Sequence, residues 1–218
     1  MLISDKYKCI LIKIPKNGST SMQEALMALD PKCQVTGLSE PPYGHETASQ
    51  ARKIAGEERW NSYFKFAFIR EPKSRFLSLY SYNTGATFTR QECLHWVLEK
   101  DYRLPDPYSK VIDKDMFARF HVYDKYWCFP YLKYQQVDWL DEDIWVGDLK
   151  NIEEDWKYVC SKIGVNVPLP KSNASDSDWW VLDEEAEALL NMYYKEDFEF
   201  YEKFLNKKTK RRHEYEVA

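Results

Sequence analysis

The run Pro15-Lys16-Asn17-Gly18-Ser19-Thr20-Ser21 holds the residue types that bind a phosphate or sulfate group: a mobile cation, a glycine that permits close approach, and hydroxyl donors. It falls between an apolar segment and an amphipathic one. The amides of a helix start would point at an anion there, and the helix dipole would favour its charge. It is not a Walker A loop, which places Lys directly before Ser or Thr; here Lys16 precedes the glycine. The same residues also suit an ordinary capped helix with an exposed lysine. A second group is Arg70 with Ser78, in FAFIREPKSRFLSLY. Arg70 ends an apolar segment, where open α/β sheets place their ligands, and a guanidinium grips phosphate through two parallel bonds. The Ser78 hydroxyl would share that phosphate. The plainer alternative makes Arg70 the partner of a carboxylate and Ser78 a helix-surface residue.

These residues need elements to position them. Tyr7–Ile14, YKCILIKI, is nearly continuous in apolar character, as a buried parallel strand should be. Met22, Ala25, Leu26 and Leu29 follow with helical spacing. Residues 33–38 read as a short second strand, a turn at Pro41-Pro42-Tyr43-Gly44 precedes His45, and Ala48–Ala55 reads as a helix. Phe64–Ile69 is a buried strand, and Pro72 opens the next helix, which carries Phe76, Leu79 and Tyr80. Residues 89–99 and 113–127 read as helices, with a loop at Asp101–Pro107. Ile144–Val146 reads as a last strand. Ile152, Trp156, Val159, Cys160 and Ile163 form a helical stripe stopped by Gly164. A loop follows from Val165 to Asp178, and Asp183 caps a final helix with Ala186, Leu189, Leu190 and Tyr193. Strands alternating with helices predict an α/β domain around a parallel sheet.

The 218 residues suffice for one domain, taken as 1–206 with a basic C-terminal tail at 207–218. A formal charge of −4 excludes a global basic field, so nucleic acid is not expected as a partner. The run Lys207-Lys208-Thr209-Lys210-Arg211-Arg212 reads as a solvated tail. Five cysteines show no C-x-x-C spacing, which argues against a structural metal site and for reduced thiols in a cytoplasmic setting. The N-terminus lacks a signal-type apolar core and no stretch would span a membrane, although the chain may be cut from a longer anchored protein. The aromatic group Tyr123, Tyr126, Trp127, Phe129, Tyr131 and Tyr134 reads as core rather than a sugar-stacking surface. His95 and His121 read as structural, and His213 lies in the tail.

Taken together, P-K-x-G-[ST]-T-[ST] after one strand and R-x-P-x-x-R-x-x-S-x-Y after another resemble the sulfotransferases that use 3′-phosphoadenosine 5′-phosphosulfate (PAPS), most closely the carbohydrate branch with the heparan and chondroitin types. The likeness runs, with gaps, from Tyr7 to Phe204 and includes VGDLKNIEEDWKYVCSKIG and YKEDFEFY. It implies a three-layer sandwich with a central parallel sheet, P-loop-NTPase-like in outline. It implies that Lys16, Asn17, Gly18, Ser19, Thr20 and Ser21 hold the 5′-phosphosulfate, that Arg70 and Ser78 hold the 3′-phosphate, and that a late loop, Lys171-Ser172-Asn173, approaches the nucleotide. Gly44-His45-Glu46-Thr47-Ala48 looks like the segment that supplies a catalytic histidine, so His45 is the expected base, Glu46 the reserve, and Lys16 the group that stabilises the leaving oxygen. The acceptor implied is a hydroxyl, of a carbohydrate or glycosylated metabolite, with adenosine 3′,5′-bisphosphate as product and no metal. Lys150 departs from the family pattern, which often has Glu there, and both a membrane anchor and a strongly basic balance are missing. A small-molecule kinase on a related scaffold and a catalytically inactive nucleotide-binding module are the alternatives.

Overall fold

The computed structural model describes residues 1–36, 44–84, 134–170 and 182–216. The helices expected at 89–99 and 113–127, the loop at Asp101–Pro107, and the aromatic residues from Tyr123 to Tyr131 lie outside the described residues, as do Lys171, Ser172 and Asn173.

The strands are β1 (Leu2–Ser4), β2 (Cys9–Leu11), β3 (Gln34–Val35), β4 (Phe64–Ile69) and β5 (Trp145–Asp148). The helices are α1 (Ser19–Leu29), α2 (Ala48–Ala55), α3 (Glu57–Ser62), α4 (Pro72–Thr84), α5 (Ile152–Ile163), α6 (Glu184–Tyr193) and α7 (Lys195–Glu216). Short 3₁₀ turns cover Gln136–Trp139 and Leu149–Asn151. No helix among the described residues is long and apolar enough to cross a membrane.

The sheet is mixed, which corrects the expectation of a wholly parallel one. Its order is β3-β1-β2-β4-β5. Strands β2, β4 and β5 run parallel, but β1 is antiparallel to both β2 and β3. The cause is the turn between Ser4 and Cys9, where Lys8 adopts a left-handed φ of 49° and the Tyr7 amide donates to Ser4 Oγ at 3.1 Å. A parallel return needs a crossover of about a dozen residues or more; this turn is too short, so the chain doubles back. Regular pairing in the expected first strand is confined to Cys9–Leu11, with Ile12 N–H still donating to Phe66 O at 2.9 Å.

Strand parity divides the core. Ile10, Ile12, Ile14, Ala67 and Ile69 join residues of α2, α4, α6 and α7 in one apolar cluster. Cys9, Leu11, Phe66 and Phe68 join residues of α1 and α5 in the other. Successive side chains on a strand point to opposite faces, so each of β2 and β4 contributes to both. The α5 helix stops at Gly164, left-handed at φ 71°, and Asp183 caps α6 by accepting from Ala186 N–H at 2.8 Å, both as the sequence indicated. The basic run does not leave as a tail: α7 continues through it to Glu216, and Lys208 Nζ reaches Asp155 at 2.5 Å.

Gly147 in β5 is a point of close approach, where an added Cβ would lie 2.7 Å from a Phe68 ring carbon. Over-packing of this kind costs about 1–3 kcal/mol. Gly147→Ala is therefore expected to lower the unfolding free energy by an amount in that range, seen as a lower urea midpoint with the slope unchanged. An unchanged midpoint would show that Phe68 can move aside.

Candidate functional site

The cradle run leaves the end of β2 in a strained path. Lys16 is left-handed at φ 66°, unusual for a residue with a side chain, and Gly18 follows at φ 74° as the N-cap of α1. Gly18 has no side chain to offer the first amides of the helix, so they face outward as donors. A Cβ at Gly18 would lie 2.6 Å from Leu149 Cδ1, the tip of a half-buried side chain that would have to shift, so the positive φ is the firmer reason for glycine here. Lys16 is half-buried, Thr20 exposed, and Ser19 and Ser21 buried along the first turn.

The Asn17 side chain is turned into the protein. It is buried, and its Nδ2 donates to Phe68 O at 2.9 Å and to Gln136 Oε1 at 2.6 Å. The Gln136 amide completes the junction: its Oε1 also accepts from Arg70 N at 2.8 Å, and its Nε2 donates to Arg70 O at 2.8 Å. Gln136 thus pairs with the Arg70 backbone as a neighbouring strand residue would, while holding Asn17. Through these bonds the carboxyl ends of β2 and β4 are tied together, and the Arg70 side chain leaves from a fixed backbone, half-buried. Ser78 lies buried in α4.

Arg75, the second arginine of the motif that carries Arg70, is 1% exposed. Its Nε donates to Pro15 O at 3.4 Å and its Nη1 to Tyr134 O at 2.9 Å, with Asp197 at 3.8 Å. It is a bridge from the cradle to the far helices, and burial raises the Asp197 carboxyl above the usual range although Arg75 opposes the shift.

His45, just after the turn at Gly44, is only 7% exposed. Its Nδ1 lies 2.6 Å from Lys13 O. A carbonyl can only accept, so Nδ1 carries the proton and Nε2 is the basic nitrogen. Trp139 Nε1 donates to the His45 carbonyl at 2.9 Å. Desolvation lowers the imidazole pKa to about 3, its bond to Lys13 O opposing the shift and the positive charges of Lys13, the N-terminus and Arg75 adding to it. Glu46 is buried too, its carboxylate paired with the Met1 ammonium. Thr47 and Gln50 then form a reciprocal capping box that starts α2. Lys13 Nζ donates to Gln23 Oε1 on α1 at 2.6 Å, and burial lowers its pKa while Glu46 opposes.

The structure therefore brings together the cradle, Arg70 and a set of connecting residues the sequence did not single out: Gln136, Arg75, Trp139 and Lys13. Arg75 stood in the second motif. The capping box was legible as Thr-x-x-Gln. Gln136 had no signal, because one amide in Gln135-Gln136-Val137 looks like any other. Lys150, at the departure from the family pattern, is exposed, and its amide donates to Asp148 Oδ1 at 3.0 Å. Among the described residues no grouping of His, Cys, Asp or Glu is arranged to hold a metal ion.

A sulfotransferase family model matches residues 1–204. No curated protein and no solved structure gives a significant match.

Two outcomes are expected from this geometry. Gln136→Met keeps the length of the side chain but leaves Arg70 N–H, Arg70 C=O and Asn17 short of partners. Each buried polar group left unsatisfied costs about 1–3 kcal/mol. The variant should lose at least about 2 kcal/mol in urea unfolding, and a neutral result would mean the junction is not structural. The second outcome concerns protonation. A folded pKa of about 3 lies below the unfolded value near 6.5, so the His45 contribution to stability is full above pH 6.5 and declines as pH falls toward 3. In the free protein the His45 ring should show no NMR titration step between pH 5 and 8, with the proton on Nδ1. A midpoint near 6.5 would show that the ring is solvated.

Proposed function

This chain belongs to the sulfotransferase family, and we propose that it transfers a sulfuryl group from PAPS to a hydroxyl acceptor, a carbohydrate or glycosylated metabolite. The observation that carries the reading is the Gln136 junction, which fixes the cradle and Arg70 side by side at the ends of adjacent parallel strands. Anion sites so placed suit a donor with phosphate groups at two ends. Apolar clusters on both strand parities support the three-layer, P-loop-NTPase-like arrangement over one domain of residues 1–206.

In this reading the amides at the start of α1, with Ser19, Thr20, Ser21 and Lys16, hold the 5′-phosphosulfate, and Arg70 and Ser78 hold the 3′-phosphate. Lys171, Ser172 and Asn173 complete the nucleotide contacts. His45 Nε2 takes the proton of the acceptor hydroxyl as its oxygen forms a bond to sulfur. The bond from sulfur to the bridging oxygen breaks, Lys16 neutralises that oxygen, and adenosine 3′,5′-bisphosphate leaves beside a sulfate ester. Positioning and electrostatics supply most of such catalysis. Glu46, already paired, is the reserve base. A neutral base in the free protein is at hand at physiological pH, and donor charge nearby would raise its affinity for the proton. No metal enters the scheme. A reducing, cytoplasmic setting belongs to the same reading: Cys9, Cys33 and Cys160 are free thiols. The kinase alternative is disfavoured by Lys16, which precedes the glycine of its loop.

Calorimetry tests the donor assignment. Adenosine 3′,5′-bisphosphate should bind at least tenfold more tightly than 5′-AMP or ATP. Removing one partner of a buried charge pair typically costs about 2–5 kcal/mol, so Arg70→Ala should weaken the bisphosphate by at least tenfold and leave 5′-AMP nearly unchanged. Equal affinity for the bisphosphate and 5′-AMP would overturn the assignment.

A further inference from the structure

Trp139 ends the 3₁₀ turn that begins at Gln136, and it is 1% exposed. Its indole N–H is not directed at a helix or strand partner. It donates at 2.9 Å to the carbonyl of His45, in the short irregular stretch between Gly44 and the cap of α2. The Arg75 guanidinium lies over the Trp139 ring, 5.6 Å from its centroid, and the Tyr134 ring meets it edge-on at 5.5 Å. Arg75 in turn reaches Pro15 O, one residue before Lys16. A buried line of contacts therefore runs from the cradle, through Arg75 and Trp139, to His45.

The bonds from Lys13 and Trp139 act on different parts of His45. The bond from Nδ1 to Lys13 O fixes the tautomer and the ring. The bond from Trp139 fixes the backbone from which the ring hangs. A shift of this backbone would carry Nε2 with it, and a misplacement of about 1 Å can cost on the order of a hundredfold in rate.

We infer that Trp139 is a positioning residue for this reaction: its indole N–H holds the His45 backbone so that Nε2 faces the acceptor, and Arg75 keeps that position in step with the donor cradle. The inference rests on the reading of His45 as the base. Any buried indole N–H needs an acceptor; that this one takes the His45 carbonyl is what couples the tryptophan to the histidine.

The test separates ring from N–H. Trp139→Phe keeps an aromatic ring in the pocket and removes the donor. Site-specific β-(3-benzothienyl)alanine, which keeps the bicyclic shape without an N–H, serves if the phenylalanine variant does not fold. Turnover is read as release of adenosine 3′,5′-bisphosphate from labelled PAPS with a panel of sugar glycosides as acceptors, in the parent protein, the Trp139 variant, His45→Ala and the double variant. The Trp139 variant should lose about tenfold in kcat with the KM for PAPS and the affinity for the bisphosphate within about twofold, and that loss should vanish in the His45→Ala background, as coupled residues require. If His45→Ala is impaired a hundredfold while the Trp139 variant is fully active, or if the two losses simply multiply, the positioning role is wrong and the base stands. If His45→Ala keeps full turnover, or the parent protein shows none, the functional reading fails and this inference falls with it.

Discussion

One side-chain amide carries the architecture of the site. Gln136 offers one oxygen and one NH₂ group, and the structure spends them on Arg70 N–H, Arg70 C=O and Asn17. Where β4 ends, its last backbone groups would lack partners, and buried groups of that kind are costly to leave unmade. Gln136 satisfies them without adding a strand. An apolar residue at 136 would fill the same volume and lose the register of both motifs.

Around that junction the charges are buried in pairs. Arg75 faces Asp197, and Glu46 faces the Met1 ammonium. Buried pairs contribute little net stability, but separating one leaves an uncompensated buried charge, which is strongly unfavourable. Asp197 also accepts from Val137 N at 3.1 Å, and its own amide donates to Gln135 Oε1 at 3.0 Å. The start of α7 is thereby locked to the turn that presents Gln136 and Trp139. A helix remote in sequence thus braces the turn that carries Gln136 and Trp139. The far end of the sheet is tied in the same way: Asp148 accepts from Tyr201 OH at 3.2 Å, and Asp155 pairs with Lys208.

His45 shows how burial changes what a residue type means. An imidazole in a Gly-containing loop would titrate near neutrality in water, and its charge would follow pH. Here desolvation keeps it neutral and the bond to Lys13 O selects its tautomer. The ring is thereby held neutral near physiological pH with its proton on Nδ1. Lys13 places its carbonyl on the imidazole and its ammonium on Gln23 of α1, so the strand that leads into the cradle also sets the histidine.

Local rules determined much of this protein. Continuous apolar runs marked β2 and β4, helical spacing marked α1, α2 and α5, and Gly164 and Asp183 marked helix ends, because each depends on a few neighbouring residues and on backbone conformation alone. The strand-to-helix turn at Lys16–Gly18 was legible for the same reason: a glycine among small polar residues between an apolar run and an amphipathic one is a local signal. Tertiary structure decided the rest. The direction of β1 followed from the turn between Ser4 and Cys9, whose residues carry no glycine to announce it. The roles of Asn17, Gln136, Arg75 and Trp139 depend on partners from 51 to 119 residues away for Asn17 and 94 for Trp139. A hydrogen bond has no periodicity in sequence; which buried amide meets which carbonyl is settled only when the layers close and every polar group caught between them must find a partner.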